Sequence, residues 1–241
     1  MRSEEAELDY PPFHSNQDWY RLIPSRFPPV DVYERLAPAV RAAAPDIEAL
    51  TNPRLASKTR LTGGNARVDE MSPRLQNWNH APFAYRNPEG SYFLGPLYGV
   101  MELAGSVEAA LAIAICRRET FLSRTSEPPM DLDMRLLSTP IRGEFVDLMS
   151  VAADMTQAAR WVIGQQLLDK GAAGAVFRRA ERPDAQFLAV FDPASVERSV
   201  QGTHYRFVWD GTVIKSIYDF STGEKIMRGD LLRGSPGREA A

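Results

Sequence analysis

The period of apolar and polar positions changes several times along the chain, and the changes mark its elements. Val32 to Ala44 has apolar residues at helical spacing, with Asp31 placed to cap the start. A stronger helical run follows Ser106, from Val107 to about Ser123. Ser106 is a capping residue, and Glu108 lies in the first turn, where a negative charge suits the helix dipole. Ala109, Ala110, Ala112 and Ala114 make the first half narrow enough for close backbone packing. Another helix is predicted from about Asp154 to Lys170, stopping at Gly171. Strand patterns occupy Tyr20-Arg21-Leu22-Ile23, halted by Pro24, and Tyr98 to Leu103, ending at Gly105. Ala175-Val176-Phe177 and Gln186 to Phe191 follow, with a polar turn expected at Pro183-Asp184. Tyr205 to Trp209 and Thr212 to Tyr218 flank Asp210-Gly211, a favoured two-residue hairpin turn. Residues 51–80 read as mostly loop, and residues 1–18 and 234–241 as flexible tails around one domain spanning 19–233. Strands and helices mix without βαβ alternation, so the expectation is an α+β fold.

Composition narrows the class. The 241 residues are 44% hydrophobic and 24% charged with a formal net charge of −3, values typical of a soluble globular protein. No apolar run approaches the roughly 20 residues that cross a bilayer, and the acidic start MRSEEAELDYPPF has no signal-peptide core. The single cysteine, Cys116, requires no oxidising compartment, so a cytoplasmic location without membrane attachment is expected. A near-neutral balance argues against direct nucleic-acid binding. Arg117-Arg118 and Arg178-Arg179 are local exceptions, read as solvated edges ahead of phosphate sites.

No common site motif is present: there is no GxGxxG, P-loop, CxxC or HExxH. His14, His80 and His204 are isolated in sequence, and no Cys/His/carboxylate cluster suggests a metal. Asp131 and Asp133 share a face if extended, which fits a solvated strand as well as a metal or acid pair. Cys116 falls in mid-helix, where a small packed residue is the simpler reading than a reactive thiol.

A series of short phrases supplies a direction. Tyr20-Arg-Leu-Ile-Pro-Ser-Arg-Phe-Pro-Pro-Val, Leu50-Thr-Asn-Pro-Arg-Leu, Asn87-Pro-Glu-Gly-Ser, Glu108-Ala-Ala-Leu-Ala, Thr125-Ser-Glu-Pro-Pro-Met-Asp-Leu-Asp-Met-Arg, Phe191-Asp-Pro and Trp209-Asp-Gly occur in order. Together they resemble the RES-domain family over most of the chain. The resemblance implies a single domain like the ADP-ribosyltransferase fold, with a mixed or antiparallel central sheet and flanking helices. It implies kinship with toxins of two-gene toxin–antitoxin systems that consume NAD and are held by a helix-turn-helix, Xre-like antitoxin. NAD is then the expected ligand or substrate, with no metal, and an antitoxin, a RES homologue or a second copy the expected partner.

The resemblance also implies a site: an arginine for the pyrophosphate, a tyrosine for the nicotinamide, a glutamate and a serine. The chemistry explains the set. Cleaving the nicotinamide–ribose bond builds positive charge on the ribose, which a carboxylate stabilises, and a guanidinium pairs with two phosphate oxygens at once. Here Tyr92 stands at the arginine, Glu102 at the tyrosine, Ile113 at the glutamate and Arg179 at the serine. That pattern predicts a site without NAD-cleaving activity, retained as a binding protein. The alternative is an active NAD glycohydrolase or ADP-ribosyltransferase using a rearranged set, Arg86, Tyr98, Glu102 and Glu108. Between apolar Met101 and Leu103, Glu102 faces either solvent or the pocket.

Overall fold

The computed structural model describes residues 10–24, 77–84 and 86–232. In chain order the strands are β1 (Pro12–Pro24), β2 (Met101–Ala104), β3 (Met130–Asp147), β4 (Gly174–Arg179), β5 (Arg182–Val190), β6 (Val200–Trp209), β7 (Ile214–Asp219) and β8 (Lys225–Met227). The helices among the described residues are α1 (Asn77–Ala84), α2 (Val107–Leu122), α3 (Gln157–Asp169) and the short α4 (Arg228–Leu232). They form one mixed eight-stranded sheet in the order β1-β2-β5-β4-β3-β6-β7-β8, so the α+β expectation holds. None of the described helices is long and apolar enough to cross a membrane.

The sheet closes on itself because β3 is long enough to serve three neighbours. Its residues Met134–Val146 pair antiparallel with β1, and Met130–Ser138 pair antiparallel with β6. Val146 and Asp147 then pair in parallel with Ala175 and Val176 of β4. With the single pair Tyr20 and Ala104 joining β1 to β2, the strands β1-β2-β5-β4-β3 make a ring. Side-chain alternation gives the ring an inside and an outside. Trp19, Met101, Leu103, Ile141, Phe145, Val176, Leu188 and Val190 fill the inside. The residues between them, including Tyr20, Ala104, Phe177, Phe187 and Ala189, point outward and pack with α2 and α3.

Helix α2 lies between two clusters. Ala109, Ala110 and Ile113 join the cluster over β2, β4 and β5, whereas Leu111, Ala112, Ala114 and Ile115 join one over β6 and β7. A helix apolar on both sides is one buried on both sides. Ser106 caps it as expected, accepting from the Ala109 amide at 3.2 Å.

Several expectations need correction. β1 begins at Pro12, inside the segment read as a tail, because its polar residues 14–18 are held by ladder bonds to β3. β3 itself, the longest strand, is missed beyond the extended reading of Asp131 and Asp133. α1 ends the stretch read as loop. The β4–β5 turn is at Ala180-Glu181, with Pro183 and Asp184 inside β5. The β6–β7 hairpin exists, but Trp209 pairs with Ile214, so four residues make the turn. Asp210 accepts there from the Thr212 and Val213 amides, both at 2.9 Å. The Val32–Ala44 helix lies outside the described residues.

Candidate functional site

One cleft of about 530 Å³, partly open to solvent, lies where α2 crosses the outer face of the ring. α2 lines it with Ala110, Ile113, Ala114, Arg117 and Arg118, a stripe at helical spacing. The sheet adds Tyr20 and Leu22 from β1, Glu102 from β2, Phe177 and Arg179 from β4, and Phe187 from β5. Arg21 also borders the cleft, but its side chain shares the parity of Trp19 and donates to the Trp78 carbonyl of α1. Burial lowers the Arg21 pKa to about 10, so it stays protonated near neutrality.

Glu102 faces the cleft, with its side chain only 10% exposed. Its position is fixed by strand alternation, since Met101 and Leu103 take the ring interior. Three donors surround the carboxylate. The Tyr92 amide donates to Oε1 at 2.6 Å, Arg117 forms a close ion pair, and Arg179 Nη1 lies at 3.7 Å. Arg179 also pairs with Glu181 at 3.3 Å. Burial alone would raise the Glu181 pKa, yet Arg179 and the backbone amide outweigh it and hold the carboxyl below its ordinary value.

Tyr92 is held on every side. Its ring stacks on Phe177 at 4.7 Å between centroids, and the guanidiniums of Arg160 and Arg179 lie 4.0 and 4.5 Å from its centroid. The hydroxyl donates to the Ala153 carbonyl at 3.0 Å. Burial is the main reason its pKa is raised, so it is a neutral phenol. Helix α3 fixes the loop that carries it. Arg160 donates to the Tyr92 carbonyl at 3.1 Å, and Trp161 donates to the Ser91 carbonyl at 3.0 Å.

The structure therefore brings Tyr92, Glu102, Ile113 and Arg179 together, four positions drawn from separate segments. Glu102, Ile113 and Arg179 line the cleft, and Tyr92 contacts both Glu102 and Arg179 from beside it. Ile113 is 7% exposed and makes its wall apolar. The rearranged set is not gathered. Arg86 and Glu108 are exposed, Tyr98 packs at the edge of the core, and of the set only Glu102 lines the cleft.

Sequence reading missed the cations. Arg117 and Arg118 belong to the cleft stripe instead of a solvated edge, as does Arg179, whereas Arg178 is exposed as expected. The signal was available: counting from Ala110 in steps of three and four reaches Ile113, Ala114, Arg117 and Arg118. Burial, then the guanidiniums of Arg179 and Arg118, lower the Arg117 pKa to about 9. At that value it is still protonated at neutral pH, with 48% of its side chain exposed. Burial also lowers the Arg118 pKa, and its guanidinium lies 5.9 Å from the centroid of the Phe121 ring.

Other sequence candidates are structural. Arg206 stands opposite Asp133 across the β3–β6 ladder and pairs with it at 2.8 Å, with Asp131 at 3.8 Å. Among the described residues, no group of three His, Cys, Asp or Glu side chains is arranged to hold a metal. His204 is buried and accepts from Arg135 Nε at 2.8 Å. Burial, then Arg135, lowers its pKa. Cys116 is half-buried, and burial first raises its pKa, which disfavours the reactive thiolate.

Comparison with known proteins fits this arrangement into a family. The RES domain family matches residues 67–210, the span that holds Tyr92, Glu102, Ile113 and Arg179. "Uncharacterized protein y4oC" of Sinorhizobium fredii is 45% identical over 219 residues, covering 90% of this chain and 94% of that protein. A chain in the crystal structure of the M.tuberculosis MbcT-MbcA toxin-antitoxin complex is 12% identical, with a TM-score of 0.39 over 79% of this chain and 86% of its own. The family match across more than half of the sequence, and the relative that runs nearly its full length, show that this chain belongs to the RES domain family.

Proposed function

We propose that this RES-domain protein does not cleave NAD and works by binding, with the α2 cleft as its ligand site. One observation carries the reading: Glu102, the only carboxylate among the described residues that line the cleft, is held by the Tyr92 amide and paired with Arg117 and Arg179. A carboxylate that stabilises a ribose cation must offer its charge to the ribose. Glu102 already spends that charge on two guanidiniums. Ile113 stands where the family resemblance puts the catalytic glutamate, and a buried isoleucine has no charge to offer. Tyr92, at the position expected for the pyrophosphate arginine, is a neutral phenol directed at the Ala153 carbonyl.

The test is NAD turnover by the purified chain, with nicotinamide and ADP-ribose separated by chromatography beside an active RES protein. We expect turnover no higher than the uncatalysed background and no growth defect when the chain is expressed alone. Turnover that Glu102→Gln abolishes would sink the binding role and establish a rearranged active site. For the partner, the family resemblance points to an Xre-like helix-turn-helix protein, or to an active RES homologue that this chain pairs with. Co-expression with a neighbouring helix-turn-helix gene product, followed by size-exclusion chromatography, is the direct check.

A further inference from the structure

The sheet has a second face, on the side away from α2. In β3, β6, β7 and β8, the side chains of Leu132, Phe207, Ile217 and Ile226 join the cluster on which α2 and α4 pack. Strand alternation turns their neighbours to the other side. The ladder register sets those neighbours in two rows across the four strands. One row reads Asp133, Arg206, Tyr218 and Lys225, and the next reads Asp131, Val208, Ser216 and Met227.

The rows have an order. Asp131 and Asp133 lie on β3, with the single guanidinium of Arg206 paired to them at 3.8 and 2.8 Å, so that margin stays acidic. The opposite margin, β8, carries the exposed Lys225. Lys215, the unpaired residue at the bulge in β7, belongs to neither row, and its charge acts on Asp210 of the hairpin. Between the margins, roughly 14 Å apart at the ordinary strand spacing, the surface is apolar and aromatic. Tyr218 is 39% exposed and Met227 43%. Phe220 borders them, edge-on to the Tyr218 ring at 5.2 Å and under the Arg206 guanidinium at 5.1 Å. Tyrosine, phenylalanine, methionine and arginine are the residue types enriched where proteins dock.

We propose that this face is an interface between two copies of the chain, related by a two-fold axis running along the strands between β6 and β7. That axis lays β3 of one copy over β8 of the other, and β6 over β7. Asp133 then meets Lys225 of the second copy, and the Arg206 guanidinium meets its Tyr218 ring, each contact occurring twice. Asp131 lies diagonal to the same lysine and adds to the attraction. Val208 and Met227 close the adjoining row with apolar surface. A two-fold axis across the strands would instead lay β3 on β3 and bring four carboxylates together, which like-charge repulsion disfavours. The order of charges therefore selects one pairing. It leaves the α2 cleft uncovered in both copies, so this inference stands apart from the binding role of the cleft.

Four short strands make a small interface, and a dissociation constant on the order of 10 μM is expected. Sedimentation velocity of the full chain, over a concentration series spanning that value, tests it. Lys225→Glu and Tyr218→Ala alter exposed side chains, so both should fold normally by circular dichroism and each should weaken the dimer about tenfold or more. Asp133→Lys sets lysine against lysine and should weaken it likewise. Mixed together, the Lys225→Glu and Asp133→Lys chains regain two opposite-charge contacts, and should pair with each other more tightly than either pairs with itself. Asp133 also holds Arg206, so Asp131→Lys takes its place if that variant does not fold. A chain that stays monomeric throughout the series, a dimer that Lys225→Glu and Tyr218→Ala both leave unchanged, or folded charge variants that gain nothing on mixing would each overturn the proposal.

Discussion

Glu102 sits among competing demands. Its carboxylate satisfies the Tyr92 amide and neutralises part of the charge of Arg117 and Arg179, so it supports the closed arrangement of the cleft. The same negative charge opposes any anion that enters. Glu102→Gln keeps an oxygen for the Tyr92 amide and removes only the charge that pairs with Arg117 and Arg179. Stability should fall by about 1 to 3 kcal/mol, since Arg179 is left in a mostly buried position with less compensation. Urea denaturation reads the loss, and a variant with unchanged stability would contradict this account. Residue identity at this position was readable from the family phrases, but its direction was not. Alternation put Glu102 opposite Met101 and Leu103, and only the ring closure decides which of those faces is the interior.

At the scale of elements, the site depends on how α3 holds the loop that carries Tyr92. Gly164 is the point of closest approach. A Cβ there would lie 1.8 Å from the Phe93 carbonyl oxygen, so the helix can rest on the loop only because the side chain is absent. Glycine inside a helix ordinarily costs about 1 kcal/mol relative to alanine, and its replacement is often stabilising. Here the sign reverses. Gly164→Ala should destabilise by roughly 1 to 3 kcal/mol through overpacking, and it should also displace Tyr92 and weaken ligand binding. Thermal denaturation measures the first effect, and a stabilised variant would show that the loop is free to move away. Elements whose signals are local were legible in the sequence. The Ser106 cap and the alanine-rich run gave α2 nearly to its ends, and the stop at Gly171, with φ at 76°, gave the end of α3. β1 and β3 were not legible over most of their length. His14-Ser15-Asn16-Gln17-Asp18 has no strand alternation, and the thirteen register pairs that β3 makes with β1 lie more than a hundred residues away in sequence. Pairing of that kind overrides local propensity.

Over the whole molecule, β3 joins the closed ring to the open extension β6-β7-β8, and α2 packs on both. The two parts should therefore lose structure together. Trp19 is the place to test this, because it is fully buried inside the ring while its neighbours Tyr20 and Leu22 line the cleft on the other side of β1. Its indole donates to Ser15 Oγ at 2.9 Å, and that hydroxyl donates to the Ile141 carbonyl of β3 at 2.9 Å, which ties β1 to β3 through the interior. Trp19→Ala leaves a large cavity and strands Ser15, with an expected loss of about 3 to 5 kcal/mol. If ring and extension form one cooperative unit, amides in β4 and β5 and amides in β6 and β7 should all exchange faster in the variant, by the same free energy. Hydrogen exchange followed by mass spectrometry resolves these segments. Acceleration confined to β4 and β5 would mean that β6-β7-β8 with the outer half of α2 holds together by itself. The cleft would then lie along a seam between two independently stable parts, and ligand binding could act on one of them alone. Uniform acceleration would instead mean that a ligand gripping α2 and β4 stabilises every strand of the sheet, so the binding role of this RES domain would be read out across the entire fold.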